Sequence, residues 1–136
     1  MAGDAFQDVP SPIDFHDLDA ARAWTQETVA RKPYRAEFFD AFAKALDACS
    51  SVVSVLELGS GPGHLAEQIL LRTSVSTYTL LDFSAAMHDL ARERVAVFAD
   101  RVRFVQADFR DVGWHLHLES PDVVVTMQAV HELRHK

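Results

Sequence analysis

Apolar positions recur at two spacings along the chain, and the change of spacing divides it. Up to about residue 50 they follow a helical stripe. In "DLDAARAWTQETVARK" the stripe is Leu18, Ala21, Trp24 and Val29; in "YRAEFFDAFAKALDAC" it is Phe38, Phe39, Phe42, Leu46 and Cys49. Spacing of this kind belongs to helices with one buried face. Two helices are expected, divided at Pro33, whose ring cannot continue a helix. Ser11, Pro12 and Asp14 carry start signals for the first, since Ser and Asp cap helices and Pro suits the first turn.

After residue 50 the pattern shortens. "SVVSVLEL", "TYTLLDF", "RVRFVQAD" and "DVVVTMQA" are short, apolar and largely β-branched, the mark of buried strands. Between the first three lie helical stretches: "HLAEQILLRT", with Leu65, Ile69 and Leu70 inward, and "SAAMHDLARERVAVFA", with Ser84 as N-cap and Met87, Leu90, Val95 and Phe98 inward. Alternating strands and helices give an α/β fold with a mostly parallel sheet and right-handed crossovers. The last link, "FRDVGWHLHLESP", is interrupted by Gly113 and has room for one helical turn packing Trp114.

Composition sets outer limits. The chain has 136 residues, 49% apolar and 24% charged, which suits one soluble domain. Residues 1–50 read as a lead and two helices, and residues 51–136 as the sheet-forming part. A single Cys49 excludes an intrachain disulfide and a cysteine-based zinc site. No apolar run is long enough for a membrane span. The start, "MAGDAFQDVPSP", lacks the basic and apolar segments of a signal peptide, so a cytoplasmic location is expected. The net charge of −7 disfavours nucleic acid and anionic membranes as partners.

Candidate chemistry concentrates in "VLELGSGPGHL", where Gly59, Gly61 and Gly63 punctuate the turn from the first strand into a helix and Glu57 precedes them. Such turns are where α/β proteins hold nucleotide-like ligands, because glycine admits unusual dihedrals and close approach. A dinucleotide is one option: Gly61-x-Gly63-x-x-Ala66 meets the looser fingerprint, with Asp82 about twenty residues on. Glu57 argues against it, since a carboxylate opposes a diphosphate and no Lys or Arg follows in the loop. A phosphate-binding P-loop lacks its Lys-Ser/Thr pair. A cationic ligand bearing an amino group and a sulfonium would instead suit Glu57.

"ELGSGPG" resembles the acidic-x-Gly-x-Gly-x-Gly signature of class I S-adenosylmethionine-dependent methyltransferases, and "LLDFSAAM", "VRFVQADFRD" and "PDVVVTMQAVHEL" resemble that family's next three strand motifs in order. The resemblance runs from about Tyr34 to Leu133. It implies a Rossmann-like three-layer α/β/α fold and S-adenosyl-L-methionine as cofactor. It further implies that Gly59, Gly61 and Gly63 underlie the methionine and ribose, that Glu57 serves the amino group, and that Asp82 takes the ribose hydroxyls. Phe83 and Met87 would flank the adenine, although Met87 also sits at core spacing. Asp108 would accept from the adenine amino group, with Phe109 beside it. Gln128 would lie near the methionine end, and Arg35 could pair the cofactor's carboxylate. His131, after the fourth strand, is the candidate general base. No metal site is expected: His115 and His117 have no third ligand nearby.

The family's sheet has seven strands, ordered 3-2-1-4-5-7-6, whereas this sequence supplies about four and ends at "HELRHK". A fragment is therefore expected, carrying the cofactor-binding half. Otherwise the open edge of the fourth strand would pair in self-association. The acceptor expected is a small molecule. Two other readings stay open: an NAD(P)-dependent oxidoreductase, and a non-catalytic S-adenosylmethionine-binding or assembly module.

Overall fold

The structure, a computed structural model, describes residues 13–31, 34–49 and 51–127. The order of elements is α1 (Leu18–Arg31), α2 (Arg35–Asp47), β1 (Ser54–Leu58), α3 (His64–Arg72), β2 (Thr77–Asp82), α4 (Ala85–Arg94), a 3-10 helix (Ala96–Arg101), β3 (Val102–Gln106) and β4 (Val123–Thr126). The four strands form one sheet, β3-β2-β1-β4, and every pairing is parallel. Chain order reverses between β1 and β4, so the crevice at the carboxyl ends of the strands lies at a topological switch point.

Register decides which side chains share a face. Val55 stands opposite Tyr78 and Val123, Glu57 opposite Leu80 and Val125, and Leu80 opposite Phe104. Apart from Glu57, these residues meet Leu65, Ile69 and Leu70 of α3 and Ala91 of α4 in the main core, which Phe39, Phe42 and Leu46 of α2 extend. Each fully buried Leu, Ile or Val contributes about 1.5–3 kcal/mol, so this cluster is the main source of stability. A second, smaller core joins α1 to α4 through Ala21, Ala86, Met87 and Leu90. Among the described residues, no helix follows β3. Residues 107–122 run in turns, so the layer expected on the sheet's other face has no helix from that crossover.

Local chemistry sets the ends. Asp17 Oδ1 accepts from Ala20 N at 2.8 Å and so caps α1; Ser11, Pro12 and Pro33 lie outside the described residues. Ser84 caps α4 as expected, accepting from Met87 N at 3.1 Å. The inward face of α1 differs from the expected stripe. Ala21, Thr25 and Thr28 are buried while Leu18 and Val29 are exposed, because α1 lies on α4 and small residues allow that approach. Phe38 and Cys49 of the second stripe are also exposed. Trp114 packs edge-on against Phe109 and His115, but within turns rather than a helical turn.

Candidate cofactor site

The glycine turn leaves β1 at its carboxyl end and is tied to β2 at once. Gly59 N and Ser60 N both donate to Leu81 O, at 2.8 and 3.0 Å. Gly59, Gly61 and Gly63 have φ of 67°, 56° and 87°, a region that L side chains seldom occupy. Gly61 and Gly63 then differ in purpose. Among the described residues a Cβ on Gly61 would meet nothing within 4 Å, so its backbone faces open space there. A Cβ on Gly63 would lie 3.1 Å from Ala91 Cβ, which makes Gly63 the contact that lets α3 and α4 close together.

Asp82, at the end of β2, braces this turn. Its Oδ2 accepts from Gly61 N at 2.8 Å and its Oδ1 from Ser84 N at 2.9 Å. Burial raises its pKa, and the two backbone N–H groups pull it back down. A carboxylate has about four acceptor positions, so capacity remains for hydroxyls.

Glu57 is the most perturbed acid here. It is 3% exposed, and Tyr78 OH donates to its Oε1 at 2.7 Å. Burial is the main cause that lifts its pKa from 4.5 to about 8; the Tyr78 bond and Arg35 oppose this, and Asp82 adds to it. Without a cation beside it, Glu57 is therefore mostly protonated at neutral pH. This corrects the expectation of a standing negative charge. The sequence shows an acid, but only the packing shows how little water reaches it.

In the glycine turn and at the starts of α2 and α3, Arg35 Nε, Ser60 Oγ and His64 Nε2 are buried without a hydrogen bond among the described residues. Arg35 opens α2 and lies over the Phe39 ring at 5.6 Å, and burial pulls its pKa down against the attraction of Glu57. His64 opens α3 and stacks on Phe39 at 6.4 Å. Burial, then Arg94 and Arg35, lower its pKa to about 4 and keep it neutral. Gly63, the N-cap of α3, supplies no side chain to the free N–H groups of the first turn. An open backbone cradle with orphaned donors next to an acid fits the amino-acid end of S-adenosylmethionine, which carries both an ammonium and a carboxylate.

The expected adenine side forms a separate cluster. Phe83 meets Phe15 and His16 edge-on at 6.3 and 5.4 Å, and Arg110 lies 6.0 Å from its ring. The Asp108 carboxylate binds Arg110 closely, with Nη2 to Oδ2 at 2.6 Å and Nε to Oδ1 at 2.9 Å. That contact lowers the Asp108 pKa, and an adenine amino group would have to share the carboxylate with Arg110. Phe109 faces Trp114 at 6.4 Å rather than Phe83. Met87 is 3% exposed in the smaller core of α1 and α4, where its helical spacing aims it, and Phe15 packs against that same core. Gln128 and His131 lie outside the described residues. Ser60 and Arg110 fall inside the quoted motifs without an assigned part, and Tyr78, His64, Phe15 and His16 fall outside them. They become site candidates only through their neighbours in space.

Among the described residues no group of three or more His, Cys, Asp or Glu could hold a metal ion, and no helix is long and apolar enough to cross a membrane.

Comparison with known proteins agrees with the fold. A family model described as a methyltransferase domain matches residues 55–136. The reducing polyketide synthase Preu2 of Preussia isomera is 31% identical over 83 residues, which is 58% of this chain and 4% of that protein. An S-adenosyl-L-methionine-dependent methyltransferase of Methanococcus maripaludis superposes with a TM-score of 0.66 at 22% identity, covering 90% of this chain and 55% of that one. A methyltransferase of Geobacter sulfurreducens, solved with S-adenosyl-L-homocysteine, gives 0.55 at 24% identity over 71% of this chain and 37% of that one. The chain thus spans a small part of its curated relative and about half or less of these solved chains. The glycine turn, the all-parallel sheet in the order β3-β2-β1-β4 and the family match over residues 55–136 lead to one assignment: the chain belongs to the methyltransferase-domain family, with the class I S-adenosylmethionine-dependent fold.

Proposed function

We propose that the chain binds S-adenosyl-L-methionine over the carboxyl ends of β1 and β2 and serves methyl transfer to a small-molecule acceptor. The observation that carries this reading is the open backbone at Gly61, braced by Asp82 and set beside buried Glu57. When bound, the cofactor supplies an electrophilic methyl group on a sulfonium. Glu57 would release its proton to solvent and face the ammonium as a carboxylate. Arg35, with Ser60 and His64, holds the carboxylate. Asp82 takes ribose hydroxyls, and Phe83, Asp108 and Phe109 border the base. The protein's part in the transfer is alignment and exclusion of water. Gln128 near the methionine end, and His131 as general base, remain proposals from the sequence.

The net charge of −7 disfavours a polyanionic acceptor, and a relative named as a polyketide synthase suits a small molecule. A cytoplasmic location, one domain over residues 1–136 and self-association through β4 belong to the same proposal. For the last, β4 pairs with β1, and Val124 is half-exposed.

Thermal unfolding with S-adenosyl-L-homocysteine and with NAD tests the reading. A ligand at a hundred times its Kd adds about 2.7 kcal/mol to a protein that binds it. The homocysteine ligand should raise Tm and NAD should not. A rise with NAD alone would return the site to the dinucleotide class.

A further inference from the structure

We propose that Tyr78 is a positioning residue of the cofactor site, its hydroxyl holding Glu57 by one carboxyl oxygen so that the acid meets the cofactor's ammonium from a fixed orientation. The inference rests on the reading of the site as one for S-adenosylmethionine. No family motif assigns Tyr78 this part.

The argument begins with register. Tyr78 stands opposite Val55, one pleat back from the Glu57–Leu80 pair and on the same face of the sheet. Its ring therefore lies within the main core, fully buried, and its hydroxyl arrives 2.7 Å from Glu57 Oε1. A phenylalanine would fill the same core volume. What tyrosine adds is one donor, and that donor goes to the acid at the glycine turn. A buried hydroxyl needs a partner, and a buried acid needs a donor if it is ever to ionise.

The groups acting on Glu57 come from each side. From β2 come Tyr78 and Asp82, and from α2 comes Arg35. At the start of α3, His64 is kept neutral by burial, Arg94 and Arg35, and β4 presents apolar Val125 opposite Glu57. A donor to a carboxylate is roughly twice as strong as one to a neutral acid. Tyr78 therefore favours ionised Glu57, the form an ammonium requires, over the protonated one. Its effect on ligand affinity should be largest where free Glu57 is protonated, and should fade once Glu57 is ionised with or without ligand.

The test is calorimetric titration of S-adenosyl-L-homocysteine into the whole chain from about pH 6 to 10, for wild type and Tyr78→Phe. Affinity at about pH 7 should fall about tenfold in the variant, and the gap should close as pH rises. Protons released on binding, read from buffers of different ionisation heat, should increase in the variant near pH 8. Equal affinities and profiles overturn the proposal, as does a loss that stays constant with pH, which would mark a structural role only. Should Tyr78→Phe fail to fold, 3-fluorotyrosine incorporation keeps the shape and strengthens the donor. Tyr34 is the other tyrosine, so a Tyr34→Phe background isolates Tyr78. Affinity at about pH 7 should then rise, and an unchanged value overturns the proposal. Carbon-13 carboxyl titration of Glu57 without ligand separates the two levels. A higher midpoint in Tyr78→Phe, together with no ligand binding by wild type, would leave the contact real and refute the cofactor reading, and with it the positioning role.

Discussion

Glu57→Gln isolates the cost of one buried acid. In the folded, ligand-free protein Glu57 titrates at about 8 instead of 4.5. The folded state therefore holds a proton that the unfolded state releases across that interval. Stability is fully present below about pH 4.5, is lost as pH rises towards 8, and levels off above it. At about 1.36 kcal/mol per tenfold change, the whole interval corresponds to about 5 kcal/mol, of which about 4 falls between pH 5 and pH 9. That is a large share of the roughly 5–15 kcal/mol typical of a domain. Glutamine keeps the shape, and its carbonyl oxygen can still accept from Tyr78, so the substitution removes titration and little else. The assay is urea unfolding of both proteins in steps of pH without ligand. The two curves should nearly coincide at pH 5, and the variant should exceed wild type by a few kcal/mol at pH 9. A smaller decline common to both is expected from Asp82, whose pKa is also raised by burial. Parallel curves over the full range would refute the account of Glu57 as a buried, protonated acid.

Gly63→Ala forces a side chain into the left-handed region and against Ala91, and should cost about 2–4 kcal/mol in urea unfolding. Combined with Ala91→Gly, the total should fall short of the two single losses added together; strict additivity would deny the contact between α3 and α4. Arg101 donates to the carbonyls of Leu70, Thr73 and Val75, closing the end of α3. Arg101→Ala should therefore lower stability by about 2–3 kcal/mol, and an unfolding midpoint equal to wild type would show those bonds to be replaced by water without loss.

Much of the architecture could be read along the chain because it follows from local rules. Strand and helix periods, the Ser84 cap and the glycine turn each depend on residues a few positions apart. The glycine turn is what the proposed cofactor site is built on, since three residues without side chains at alternate positions ahead of a helix leave backbone open to approach. The family motifs then named Glu57, Asp82 and Asp108 as its acids. Their states were not legible in the same way. Asp82 spends an oxygen on Gly61 N, twenty-one residues away, and Asp108 is held by Arg110.

The sequence by itself determined the class of fold, the order of its strands in the chain and the glycine turn between the first strand and α3. Tertiary structure alone decided that Glu57 meets Tyr78, that Met87 points into the core of α1 and α4, and that Gly63 serves packing while Gly61 faces open space. The physical reason is range. Backbone dihedrals and hydrophobic period are properties of neighbours in sequence, whereas desolvation and hydrogen-bond partnership depend on which strands and helices meet.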